Sequence, residues 1–162
     1  MILDIGCGPA SIADIQIDKV LFENMKSYTY HVQDAMIEKW NVPNESVEEV
    51  RMEQFLEHCP VSVRYQDGTV LYPRIHCMRE AYRVLKPKGI LHVSVPSTLD
   101  THFQDPTHEG TMITEGWFNY FCGEWGGAEK GSFANDSYGI DFKFKKLEAY
   151  MTGPVLTIRL QK

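Results

Sequence analysis

Two glycines, a few well-spaced carboxylates and two histidines carry most of the chemistry this sequence can offer. Leu3-Asp4-Ile5-Gly6-Cys7-Gly8-Pro9 is an apolar run that breaks on glycines. Glycines directly after a buried strand let the backbone turn sharply and come close to a ligand, although a tight turn without one would read the same. A dinucleotide site would want a third glycine opening a helix under a pyrophosphate. Ser11 holds that slot, Pro9 crowds the loop, and only about eight residues separate Gly8 from Ile17, which argues against a nicotinamide-dependent oxidoreductase. Asp18 and Asp34 each follow a strand-like run. A carboxylate at such a tip can accept both hydroxyls of a ribose, accept from an adenine amino group, or simply cap a turn.

A second group lies further along. His58 follows Glu57, and an imidazole with a pKa near neutrality suits a general base; a structural histidine fixing the next loop is the competing reading. Asp105 and His108 at i, i+3 could orient each other, while Asp105 before Pro106 equally suits the N-cap of a helix. His102 and His108 with Asp105 or Glu109 match no closed metal-site spacing, so no metal is expected. Trp117, Phe118, Tyr120, Phe121 and Trp125 read as core or lid packing, or as an apolar wall for an acceptor. Gly123, Gly126 and Gly127 around Trp125 suit a mobile loop or plain turns.

These residues need elements to position them. The pattern predicts strands over 2–5, 15–18, 27–32, 47–52 and 90–95, and a helix over 75–85 stopped by Lys86-Pro87-Lys88-Gly89. Two further strands, over 142–147 and 154–160, are expected to pair antiparallel. Residues 97–139 show weak periodicity and read as an irregular acceptor-side insert or lid. Strands alternating with crossovers imply an α/β fold with a mostly parallel sheet, whose ligands sit beyond the carboxyl ends of the strands.

Composition narrows the partners. The chain has 162 residues, which fits one domain, and a formal net charge of -6. With no Lys/Arg run longer than Lys145-Lys146, a nucleic-acid backbone is not the expected partner. No stretch approaches the roughly 20 apolar residues of a membrane span, and no export signal is visible. Cys7, Cys59, Cys77 and Cys122 form no CxxC pair, so neither a zinc knuckle nor a redox motif is suggested. Reduced thiols and a cytoplasmic location are expected.

Taken together, the sequence resembles the class I S-adenosylmethionine (SAM)-dependent methyltransferases, closest to the small methyltransferase type 11-like branch. The likeness covers roughly residues 2 to 121. It rests on Leu-Asp-Ile-Gly-Cys-Gly-Pro at 3–9, Ile-Asp at 17–18, Asp34 and Val-Pro-Asn-Glu-Ser-Val-Glu-Glu-Val at 42–50. Phe-Leu-Glu-His at 55–58, Arg-Glu-Ala-Tyr-Arg-Val-Leu-Lys-Pro-Lys-Gly at 79–89 and Asp-Pro-Thr-His at 105–108 complete it. The resemblance implies a Rossmann-like three-layer sandwich, the whole of 1–162 forming one domain; the residue spacing adds a short first crossover and a C-terminal antiparallel strand pair.

It also implies roles. Gly6, Cys7 and Gly8 would pass under the methionine part of SAM, with Asp4 behind them. Asp18 would bind the ribose. Asp34, Ala35 and Met36 would face the adenine, and Met52 and Glu53 would line the sulfonium end. His58 and His108, with Asp105 orienting, are the candidates for acceptor chemistry. The expected activity is transfer of a methyl group from SAM to an O or N of a small-molecule or saccharide acceptor. The alternative is a non-catalytic SAM-binding module, a partner subunit of a larger methyltransferase; a homodimer is compatible with either. Against the family's pattern, the helix after the glycine loop is nearly absent, the chain opens on its first strand without a cap over the cofactor, and Lys-Pro-Lys-Gly replaces Lys-Pro-Gly-Gly.

Overall fold

Alternation along the strands sets the architecture, because side chains two apart share a sheet face. The computed structural model describes residues 1–21, 29–98, 105–110, 112–123 and 138–162. Its elements run β1 (Ile2–Ile5), β2 (Ile15–Asp18), β3 (Thr29–Val32), β4 (Val47–Glu53), β5 (Val63–Arg64), β6 (Val70–Leu71), α1 (Pro73–Val84), β7 (Leu85–Pro96), α2 (Glu115–Cys122), β8 (Lys145–Thr152) and β9 (Val155–Gln161). Seven strands form one sheet in the order β3-β2-β1-β4-β7-β9-β8, and β5 and β6 make a separate ribbon. The first five strands of that order are parallel; β9 runs antiparallel to both neighbours. The mostly parallel sheet, short first crossover and antiparallel C-terminal pair therefore stand as expected, the crossover reduced to a 3-10 turn at Gly8–Ala10.

Register brings Leu3, Ile15, Val50, Leu91 and Leu160 to one face, with Ile5, Ile17, Met52, Val93 and Ile158 one pleat further along it. All ten belong to a single apolar cluster. Helix α1 adds Cys77, Met78, Ala81 and Val84 to it, and α2 adds Phe118 and Phe121. Tyr82 of α1 stacks on Phe142, which stacks on Phe121 of α2, and Lys146 on the same face of β8 donates to Glu115 and Asn119 of α2. Both helices thus cover the same side. The opposite face carries Asp4, Gln16, Arg51, His92 and Arg159 in register. Of the three layers expected, the described residues show two.

Several boundaries differ from the sequence pattern. Helix α1 opens at Pro73, whose fixed φ suits a first helical position. Strand β7 starts at Leu85 directly after it, and Lys88 within it takes φ +68, where the pairing with β4 shifts register. Phe142 and Phe144 precede β8 and serve as core packing, so that strand begins three residues later than predicted. Within 97–139, α2 is helical and its Phe118 and Phe121 are core; Trp117 packs on both. His102, Trp125, Gly126 and Gly127 lie outside the described residues.

Candidate functional site

The site forms where four parallel strands end. Past β1 the chain turns through Gly6 at φ +64, whose N–H donates to Ile17 carbonyl oxygen at 2.9 Å, and Gly8 at φ +57. A Cβ on Gly6 would stand 2.4 Å from Cδ2 of Phe55, so only glycine fits there. Asp18 ends β2 and braces this loop: its Oδ2 accepts the Gly8 N–H at 3.1 Å and its Oδ1 accepts the Val20 N–H at 3.1 Å. Asp34 follows β3 and accepts the Met36 N–H at 3.0 Å, an Asx turn. The segment beyond is pinned by buried Trp40, whose indole donates to Ala35 carbonyl oxygen at 2.9 Å and whose backbone N–H donates to Glu80 at 2.8 Å.

These tips enclose a cavity of about 620 Å³. Gly6, Ile17, Asp18 and Lys19 line one wall, and Gln33, Asp34, Ala35 and Met36 the next. Gln54, Phe55, His58 and Pro60 close a third side, with Thr107 and Glu109 at the far rim. The volume is that of a small-ligand or cofactor pocket. A second opening, also about 620 Å³, lies alongside and shares Gln54 and His58; Glu57, Pro96, Asp105, Pro106, His108, Pro154 and Val155 line the rest of it.

Of the residues singled out from sequence, Gly6, Asp18, Asp34, Ala35 and His58 meet in the first cavity, and His58, Asp105 and His108 meet in the second. Cys7 and Gly8 stand in the loop just behind the first wall. Burial, then Asp4 and Asp18, push the half-buried Cys7 thiol up to about 12, so it stays protonated. Asp4 points to the polar sheet face and accepts from Ser11 Oγ at 2.5 Å; burial raises its pKa although that bond works the other way. Met52 and Glu53 do not line the cavity. Strand β4 runs through Glu53, so alternation sends Met52 into the core, where it is 0 % exposed, and Glu53 to the polar face 4.0 Å from His92. Gln54 and Phe55 take the place at the β4 tip instead. Gln54 does so at φ +51, a conformation rare outside glycine that nothing in the sequence announces.

The second opening holds a compact polar group. The His58 and His108 rings stand edge to face with centroids 4.9 Å apart. His58 Nδ1 lies 3.1 Å from Thr107 Oγ1 and 3.3 Å from its carbonyl oxygen. Asp105 opens a turn rather than a helix: its Oδ1 accepts the Thr107 N–H at 2.8 Å and hydroxyl at 2.6 Å, which holds its pKa below the usual value, while Oδ2 stands 3.7 Å from His108 Nε2. The histidine partner expected for Asp105 has a counterpart; the helix cap does not, because the residues after it form a turn. Glu57 is buried, and burial pushes its carboxyl up to about 7, only partly offset by its own backbone N–H and the His108 and Arg74 charges.

No family model and no curated protein sequence matches this chain. Solved structures do. A SAM-dependent methyltransferase from Archaeoglobus fulgidus aligns with 99% of this chain and 85% of its own, at TM-score 0.58 and 17% identity. The Burkholderia thailandensis 1,6-didemethyltoxoflavin-N1-methyltransferase, bound to 1,6-didemethyltoxoflavin and S-adenosylhomocysteine, aligns over 99% and 70% at TM-score 0.59 and 10% identity. A complex between the Haloferax volcanii Trm112 methyltransferase activator and a methyltransferase aligns over 99% and 81% at TM-score 0.60 and 10% identity. At such identities the likeness is one of fold.

Proposed function

We propose that this chain, which has the fold of the class I SAM-dependent methyltransferases, binds SAM in the first cavity and passes its methyl group to a nucleophile in the second opening. One observation carries the reading: the glycine turn, Asp18 and Asp34 line one cofactor-sized cavity at the carboxyl ends of adjacent parallel strands. Asp18 is already oriented by two backbone amides, and each carboxylate oxygen keeps a second lone pair for a ribose hydroxyl. Asp34, Ala35 and Met36 would bound the adenine. Gly6 to Gly8 would let the methionine part approach the backbone, and Gln54 and Phe55 would flank the sulfonium end.

In the reaction, a lone pair on the acceptor O or N forms a bond to the methyl carbon as the C–S bond breaks. The electron pair of that bond goes to sulfur, giving S-adenosylhomocysteine, and the acceptor proton leaves to His58 or solvent. The protein's main task is alignment, since the sulfonium is a good leaving group. His58 lines both cavities and so sits where donor and acceptor would meet. A small molecule or saccharide suits the second opening. Four free cysteines suit a reducing, cytoplasmic setting, and among the described residues no helix is long and apolar enough to cross a membrane.

Calorimetric titration of S-adenosylhomocysteine tests the reading. Binding by wild type that weakens about tenfold or more in Asp18→Asn is expected, since a charge-assisted hydrogen bond is worth about 1.5–3 kcal/mol. No binding by folded wild type would sink it. A partner subunit is compatible with the Haloferax complex of a methyltransferase and its activator; a non-catalytic module that binds SAM for a partner predicts binding without turnover.

A further inference from the structure

Glu57 is a carboxylate where a carboxylate is costly. Its residue is 1% exposed, and neither side-chain oxygen has a hydrogen-bond partner in another residue. Buried acids are normally paired, hydrogen-bonded or bound to metal. The guanidinium of nearby Arg74 donates from Nε to Cys59 carbonyl oxygen at 3.0 Å and from Nη2 to that of Glu109. What faces the carboxylate closely is a pair of imidazoles. One ligand atom each from Glu57, His58 and His108 lies within 4.8 Å of the others.

We propose that Glu57, His58 and His108 form a binding site for a divalent transition-metal ion. Two imidazoles and one carboxylate are a donor set that zinc, cobalt(II) and iron(II) accept, and three protein ligands leave a coordination position for another oxygen. A cation there would neutralise the unpartnered carboxylate. The surroundings suit such a role. Thr107 holds the His58 ring through Nδ1, as outer partners do for metal-bound histidines. Asp105, held by Thr107, adds negative charge 3.7 Å from His108 Nε2. All three ligands border the second opening, so the open position faces the space assigned to the acceptor and could take its hydroxyl oxygen. That last use rests on the methyltransferase reading; the site itself does not, and with metal bound His58 is a ligand and the acceptor proton goes to solvent.

The test uses the full chain, stripped with a chelator and titrated with cobalt(II) chloride, followed by visible absorption, and with zinc chloride by calorimetry. One equivalent per chain is expected, with affinity at least about tenfold weaker in Glu57→Gln and in His58→Asn. His31→Asn, outside the cluster, should bind as wild type does. Zinc should also raise the melting temperature of wild type and leave that of Glu57→Gln unmoved. Metal-free melts show whether each variant folds, and His58→Asn decides the matter if Glu57→Gln does not. No uptake by wild type, or undiminished uptake by the folded variants, overturns the site. S-adenosylhomocysteine is titrated in parallel: its binding without metal uptake removes only the metal site, and metal uptake without its binding removes only the cofactor assignment.

Discussion

Replacing Gly6 and Gly8 one at a time by alanine separates two effects that the glycine turn combines. Both residues have positive φ, +64 and +57. An L-residue held there costs about 1–2 kcal/mol. At Gly8 nothing lies within 4 Å of an added Cβ, so that strain is the whole effect. At Gly6 the Cβ would meet Phe55 Cδ2 at 2.4 Å and two further ring atoms at 3.2 Å. Phe55 is 7% exposed and belongs to the apolar cluster, so its ring has little room to retreat except into the cavity. Overpacking of this kind costs about 1–3 kcal/mol. Gly8→Ala should therefore lose about 1–2 kcal/mol and Gly6→Ala about 2–5 kcal/mol. Urea denaturation with shared m-values measures both, and S-adenosylhomocysteine affinity should fall further in Gly6→Ala. A cycle with Phe55→Ala should recover the clash term of about 1–3 kcal/mol. If the two glycine variants agree within about 0.5 kcal/mol, Phe55 does not wall the glycine turn and the reasoning fails.

Other perturbations follow from the same contacts. Phe144→Ala, at a residue 1% exposed, should cost about 3–5 kcal/mol by chemical denaturation, whereas exposed Tyr150→Ala should stay within about 0.5 kcal/mol. Glu80 is raised by burial but brought net below its usual value by Arg83 and the Trp40 N–H. Its contribution is therefore full above its unfolded value of 4.5 and fades as pH falls through its lower folded value. Melts from neutral to acid pH should show a shallower loss in Glu80→Gln, whose neutral-pH stability should be lower by about 1.5–3 kcal/mol. Cys7, held protonated, should react with a disulfide reagent at neutral pH more slowly in the folded chain than in urea; equal rates would contradict its environment.

The parts of the fold written in local pattern were legible. Leu3 and Ile5 followed by Gly6 and Gly8 marked β1 and its turn, and the apolar spacing of α1 marked the helix. The meeting of Asp105 with His108 followed from i, i+3 spacing alone. Contacts between distant segments were less visible. Met52 and Glu53 were misplaced because the end of β4 depends on how far its pairing with β7 extends, and one more paired residue changes which side chain faces the ligand. Phe142 and Phe144 look like strand residues by type, yet tertiary packing against Tyr82 claims them before β8 begins. The polar row of Asp4, Gln16, Arg51 and His92 is written in their alternation with apolar neighbours. Glu57 was named only for its neighbour; burial of an acid is a property of the assembled fold.

Strand β9, the latest in the sequence, lies inside the sheet, between β7 and β8. Ribosomes add about 5–20 residues per second and domains fold as units, so β7 and β8 must wait for Val155–Gln161 before either can complete its ladder. Until then β7 presents one unpaired edge and β8 both of its own, each a template for pairing with another copy. The exposure of these edges is thus set by the order of synthesis.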